Sequence, residues 1–114
     1  MEDLVFVYGT LKRGRDLHHY LQKSEFLGEG FIEGYEMYLV SWYPAVVKGS
    51  GKVYGEVYAV DLETLKVLDR VEDEGRLYKR VKEKVKIEDR YVNCWVYIYQ
   101  GSTKNLKRIK SGRF

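Results

Sequence analysis

This sequence of 114 residues is poor in several things, and each shortage excludes something. A single cysteine, Cys94, rules out an internal disulfide and any multi-cysteine metal site. The only histidines, His18 and His19, are adjacent, which removes a structural zinc site and catalysis by two separated histidines. No run approaches the ~18 apolar residues of a membrane span. The start, Met1-Glu2-Asp3, is acidic where a secretory leader is basic, which favours a cytoplasmic location. Asparagine and glutamine are scarce (Asn93, Asn105, Gln22, Gln100) beside abundant lysine and glutamate, the lean of proteins from hot environments. Twenty basic and 17 acidic residues leave a net charge of +3, too mild to imply nucleic acid unless the excess gathers in a patch.

What is there reads as one domain over residues 1–114, β-rich and without repeats. Leu4 to Tyr8 is apolar on both faces and predicts a central buried strand. Gly9 to Arg15 is a turn-rich basic loop. Asp16 is placed to cap a short helix through about Lys23. Glu25 to Val40, punctuated by Gly28, Gly30 and Gly34, predicts bent strands with bulges. Trp42-Tyr43-Pro44 breaks that run at the only proline. Ala45 to Lys48 predicts a strand and Gly49-Ser50-Gly51 a hairpin-like turn into a strand over Lys52 to Val60. Asp61 caps the clearest helix, with Leu62, Leu65, Leu68 and Val71 as its apolar stripe and Gly75 as a C-cap. Tyr78 to Ile87 and Arg90 to Gln100 are two long strands meeting at Glu88-Asp89. The basic tail reads as a docked segment or short helical turn. The sum is an α+β fold: a mixed, barrel-like sheet of about six to seven strands with two flanking helices.

Four features carry candidate chemistry. In Val7-Tyr8-Gly9-Thr10-Leu11-Lys12 a buried strand empties into a loop whose backbone N–H groups suit an anion, with Gly9 allowing a ligand close to the main chain. An ordinary strand-to-loop turn explains the same residues. In Asp69 to Glu74, four carboxylates crowd a helix C-terminus, where the dipole prefers cations. Repulsion and burial would raise one pKa, as a general base requires. A solvated acidic loop balanced by Arg70, Arg76 and Arg80 is the alternative. The aromatic set Trp42, Tyr43, Tyr54, Tyr58, Tyr78, Trp95, Tyr97 and Tyr99 suits either a small pocket or cross-strand packing. Lys82, Lys84 and Lys86, with Lys104, Lys107, Arg108 and Lys110 of the tail, suit either a solvated face or, less readily, an RNA contact. Cys94 reads as buried and inert.

Taken in order, Leu4 to Gly14, Val53-Tyr54-Gly55-Glu56-Val57-Tyr58, Leu68-Asp69-x-x-Glu72 and Tyr78-x-Arg80 resemble the γ-glutamylcyclotransferase-like superfamily. The γ-glutamylamine cyclotransferase branch and the short bacterial and archaeal members are most similar. The resemblance implies the barrel-like fold just read, and cyclisation of a γ-glutamyl compound to 5-oxoproline with release of an amine. It places the substrate's γ-glutamyl head at Tyr8, Gly9, Thr10 and Leu11, with Tyr78 beside it. It maps the catalytic glutamate onto Glu72; an alignment shifted toward the following glycine selects Glu74. It implies neither metal nor organic cofactor, a small γ-glutamyl molecule as the partner, and no membrane. A non-catalytic small-molecule binder on the same fold is the alternative.

Overall fold

The computed structural model describes Glu2 to Phe114. Its centre is β1 (Asp3–Val7), whose alternating side chains enter two different cores. Phe6 joins the cluster built with Ile32, Val53, Val57, Val85 and Val96. Val5 and Val7 join the cluster built with Leu21, Leu65, Leu68 and Tyr97. A strand with period-two side chains and apolar residues on both faces has no solvent side, which is why this run carries no charge after Asp3.

The other strands are β2 (Glu25–Leu39), β3 (Pro44–Val60), β4 (Tyr78–Ile87), β5 (Arg90–Tyr99) and β6 (Lys107–Arg108). β1 lies antiparallel to β3, from Asp3 opposite Val60 to Val7 opposite Glu56, and parallel to β5 at Val5 and Trp95. β5 pairs with β4, β4 with β2 at Gly30 and Phe31, and β2 with β3 along most of its length. The pairings β3-β1-β5-β4-β2 therefore return to β3 as a ring, and β6 adds to β2 opposite Tyr38 and Leu39. The expected mixed sheet is present, with six strands.

The expected second flanking helix is not. Asp16 starts no α-helix; the chain makes a 3₁₀ turn over His18–Leu21, entered through Leu17 with no side-chain cap. Of its four residues only Leu21 is buried, so no apolar stripe exists to hold a longer helix on the sheet. The single α-helix among the described residues is α1 (Leu62–Val71). Its N-cap is Asp61, whose Oδ1 accepts the Thr64 N–H at 2.7 Å. Leu65 and Leu68 are buried as its stripe, while Leu62 is exposed. Its C-cap is Glu72 rather than Gly75, and the left-handed residue after it is Asp73, with φ 52°. Gly75 takes its own positive φ two residues later.

Gly49-Ser50-Gly51 also departs from expectation. It is a bulge inside β3, with Tyr35 facing both Lys48 and Gly51 across the ladder. β2 is long enough to pair with β3 on either side of it, so no reversal is needed. Ser50 instead bonds Glu36 Oε2 through its N–H at 3.1 Å and its hydroxyl at 3.3 Å. The reversal between β2 and β3 lies at Val40–Tyr43, where the Val40 N–H donates to the Tyr43 carbonyl. The bulges expected near Gly28 and Gly34 are present.

The tail is docked. The Ile109 N–H donates to the Met37 carbonyl, the Tyr54 N–H donates to the Gly112 carbonyl, and Phe114 packs on the core within the ring. Cys94 is fully buried, and burial pushes its thiol up to about 12, so it stays protonated and inert. The basic strand face is occupied by stacking: Arg80 and Lys82 lie over Trp95 and Lys86 over Tyr91. No helix among the described residues is long and apolar enough to cross a membrane.

Because Leu68 is fully buried between α1 and the sheet, Leu68→Ala should lower unfolding free energy by about 2–5 kcal/mol in a denaturant titration.

Candidate active site

Where β1 ends, the chain must leave the sheet beneath α1, and the space between them is a cavity of about 130 Å³. Its floor is buried: Phe6, Val7, Tyr8, Pro44, Tyr78 and Tyr97. Gly9, Thr10 and Leu11 form one wall and Glu72 lies on the lining with them. Six residues singled out from sequence, Tyr8, Gly9, Thr10, Leu11, Glu72 and Tyr78, thus share one cavity. Glu74 is not on its lining among the described residues. Its side chain is exposed, and Oε2 accepts the Arg80 N–H at 3.1 Å.

The loop is held from within. The Lys12 N–H donates to the Gly9 carbonyl at 3.0 Å, and the Leu17 N–H to the Thr10 carbonyl at 2.9 Å. Behind it, the Arg13 N–H donates to Oε1 of the buried Glu56 at 3.0 Å. The first two of these bonds use the loop's carbonyls. Among the described residues no acceptor takes the N–H groups of Gly9, Thr10 or Leu11. Three unpaired amides in succession on a cavity wall make a site for an anionic or carbonyl oxygen. Gly9 serves a different purpose from the one its loop suggests. A Cβ there would lie 2.6 Å from Cγ of Pro44, so its bare backbone makes room for the proline ring rather than for a ligand.

Three tyrosine hydroxyls tie the walls together. Tyr8 donates to the Tyr97 carbonyl, Tyr78 to the Pro44 carbonyl at 2.8 Å, and Tyr97 to Asp69 Oδ1 at 2.7 Å. Burial raises all three well above the usual phenol range, and the charge of Glu72 raises each further. They are therefore neutral donors, already engaged, and poor candidates for acid or base work. Arg80 Nε sits 2.9 Å from the same Asp69 oxygen, an ion pair by distance, although its angle is too poor for a hydrogen bond. Asp69 lies one turn before Glu72 on α1, so this cluster fixes the helix end that presents Glu72.

Glu72 itself is unpaired. Among the described residues no hydrogen bond or salt bridge holds its carboxyl. As a whole residue it is only half-buried, because it opens on the cavity. The protein packed around its carboxyl still pushes its pKa from 4.5 to about 7, through desolvation of the charged form. Such a group exchanges protons near neutrality. No group of three or more His, Cys, Asp or Glu stands together to hold a metal ion among the described residues.

Four of the eight aromatics in the sequence set, Trp42, Tyr43, Tyr78 and Tyr97, line the cavity. Sequence reading missed Leu17, Pro44, Val71 and Leu77 as lining, and missed why Asp69 and Arg80 accompany Glu72. The signal for the latter was present as opposite charges eleven residues apart, but only the sheet brings them together.

A raised folded pKa has a consequence for stability. Between pH 4.5 and about 7 the unfolded chain loses the Glu72 proton while the folded chain keeps it, so stability falls as pH rises and levels off above 7. Glu72→Gln removes that penalty. It should match the wild type near pH 4 and exceed it at pH 8 by on the order of 3 kcal/mol in parallel denaturant titrations.

Comparison with known proteins identifies the family. A family model described as gamma-glutamyl cyclotransferase, AIG2-like, matches residues 5–114. The gamma-glutamylcyclotransferase family protein YtfP of Escherichia coli K12 is 37% identical over 108 residues, covering 95% of this chain and 92% of its own. The crystal structure of protein PH0828 from Pyrococcus horikoshii superposes with a TM-score of 0.82 at 41% identity, covering 98% of this chain and 89% of its own. That of a mouse AIG2-like protein superposes at 0.84 with 30% identity, covering 96% and 86%. A family-model match over residues 5–114, identity along nearly the whole chain and a shared fold place it: the protein belongs to the gamma-glutamyl cyclotransferase, AIG2-like family.

Proposed function

We propose that the protein closes a γ-glutamyl compound to 5-oxoproline and releases the amine, with Glu72 as general base and then general acid. The observation that carries this reading is one unpaired carboxyl, poised near neutrality, in the same small cavity as three free loop amides.

The substrate holds its α-amine and its γ-carbonyl in one molecule. At neutral pH the amine is protonated and has no lone pair to offer. Ionised Glu72 accepts one of its protons. The freed nitrogen attacks the γ-carbonyl carbon, forming the ring C–N bond and placing a negative charge on oxygen. That charge collapses as the bond to the departing nitrogen breaks: the carboxylic acid form of Glu72 gives that nitrogen a proton, and the carboxylate so regenerated takes the surplus proton of the ring nitrogen and passes it on, so that the amine leaves as an ammonium and Glu72 ends ionised. Holding the five-atom chain folded supplies much of the acceleration, since well-oriented intramolecular attack can lower a barrier by roughly 7–11 kcal/mol. The N–H groups of Gly9, Thr10 and Leu11 suit the substrate's oxygens, and the floor tyrosines keep the cavity closed on that side.

The test is 5-oxoproline release from a panel of γ-glutamyl compounds, run with wild type, Glu72→Gln and Glu74→Gln. Glu72→Gln should lower kcat by a factor on the order of 10²–10⁴, the usual contribution of a general acid–base group, and still bind substrate. Glu74→Gln should turn over at close to the wild-type rate. Since Glu72 must be ionised to accept a proton, kcat/KM should rise with pH through about 7. Full turnover by Glu72→Gln would sink the assignment. Loss only in Glu74→Gln would move the base.

A further inference from the structure

We infer that His18 is a positioning residue for the proposed cyclisation: its Nδ1–H, bonded to the Leu11 carbonyl, holds the loop peptides that offer their N–H groups on the cavity wall. This rests on that reading and adds to it a residue that is not on the cavity lining.

The two histidines are adjacent in sequence and unlike in structure. His19 is exposed and lies against Tyr20, with ring centroids 4.2 Å apart. His18 is half-buried, packs on the ring of Tyr58 at 5.8 Å, and brings Nδ1 to 2.9 Å from the Leu11 carbonyl oxygen. A carbonyl only accepts, so Nδ1 carries the proton. The neutral ring meets this as its Nδ1–H tautomer and the imidazolium meets it as well, so the bond survives titration of the ring.

The consequence for the amides follows from peptide planarity. In a trans peptide the C=O and the N–H of one unit point to opposite sides, so holding the carbonyl fixes the direction of the N–H. The Leu17 N–H holds the Thr10 carbonyl at 2.9 Å, which sets the Leu11 N–H. The Lys12 N–H holds the Gly9 carbonyl at 3.0 Å, which sets the Thr10 N–H. That Lys12 N–H is itself one end of the Leu11–Lys12 peptide, and His18 holds the other end. Two of the three free amides are therefore set from Leu17 and His18, consecutive residues at the entry of the 3₁₀ turn. The Lys12 carbonyl, next along the loop, takes the Arg15 N–H at 3.0 Å. Among the described residues, Leu11 thus has the one carbonyl from Gly9 to Lys12 that is held by a side chain. Without the imidazole its peptide is free to rotate, and the turn it closes on the Gly9 carbonyl loosens with it.

Asparagine and glutamine separate the bond from the bulk of the ring. The side-chain nitrogen of asparagine is attached to Cγ, as Nδ1 is in histidine; that of glutamine lies one atom further out. His18→Ala and His18→Gln should lower kcat/KM for 5-oxoproline release by on the order of tenfold to a hundredfold, the scale of a site misplaced by about an ångström. His18→Asn should stay within about threefold of wild type, and His19→Ala should match it. The rise of kcat/KM through about pH 7 should keep its midpoint in all of them, because Glu72 is untouched. Independently of turnover, hydrogen exchange at the Lys12 N–H should quicken by about tenfold or more in His18→Ala and His18→Gln and stay slow in His18→Asn. His18 belongs to neither buried cluster, so these variants are expected to fold, and circular dichroism checks this.

Wild-type turnover or unchanged exchange in His18→Ala overturns this inference and leaves the cyclisation standing. So does a His18→Asn variant as impaired as His18→Ala, or a shifted midpoint, which would mean that His18 acts through Glu72. No 5-oxoproline from wild type on any γ-glutamyl compound of the panel overturns the cyclisation and the purpose given to His18 together, and the exchange data then report only that the loop is held.

Discussion

The Asp69 carboxylate is the joint on which the cavity depends. It is the one side chain of α1 that holds both strands of the β4–β5 hairpin at once, through the Tyr97 hydroxyl and Arg80. Tyr97 in turn receives the Tyr8 hydroxyl on its main-chain carbonyl, which carries the connection to the end of β1. Helix, hairpin and central strand are thus linked through one acid and two tyrosines. Partly buried pairs of this kind are costly to break, because removing one partner leaves the others unsatisfied. The return is geometric. Glu72 follows Asp69 by three residues, nearly one helical turn, so fixing Asp69 fixes the direction from which Glu72 enters the cavity.

The same arrangement explains how Glu72 can be strained electrostatically without disturbing the fold. Its neighbours on α1 are anchored by Leu65 and Leu68 below and by Asp69 beside, so the penalty of a poorly solvated carboxyl cannot be relieved by turning the helix end outward. Desolvation raises its pKa; a nearby cation would have lowered it again. Arg80 is held by Asp69 and by stacking on Trp95.

The parts of this architecture visible in the sequence are those set by local rules. The two-faced apolar run of β1, the Asp61 cap with leucines at helical spacing, and the long β4–β5 hairpin all follow from side-chain periodicity. What escaped was set by partners distant in the chain. Asp16 looked like a cap, but a cap needs a helix that can bury a stripe, and His18, His19 and Tyr20 have none to bury. Gly49-Ser50-Gly51 looked like a turn, but the length of β2 opposite decided for a bulge. Leu62 fitted the helical stripe by spacing and lies exposed, because the sheet covers α1 only from Leu65 onward. The cavity was legible as to its loop, its glutamate and its tyrosine. Its apolar rim was legible only in Trp42 and Tyr43; Leu17 and Leu77 come from two further connections that only the ring of strands brings to the same opening.

That separation of origins bears on how such a site can vary. The floor and Glu72 are supplied by β1, the end of α1 and the β4–β5 hairpin, whose residues also build the two cores, so changing the floor disturbs packing on both sides of β1. The rim is supplied by connecting segments with few core duties. Trp42 lies on a reversal exposed to solvent and can be exchanged without opening a hole in the interior. Pro44, two residues on, cannot: it fills the space left by Gly9 and its carbonyl takes the Tyr78 hydroxyl. The boundary between lining that is tied into the packing and lining that is free of it therefore falls within three residues, between Trp42 and Pro44. Position 42 can therefore reshape the mouth of the cavity while its floor stays fixed.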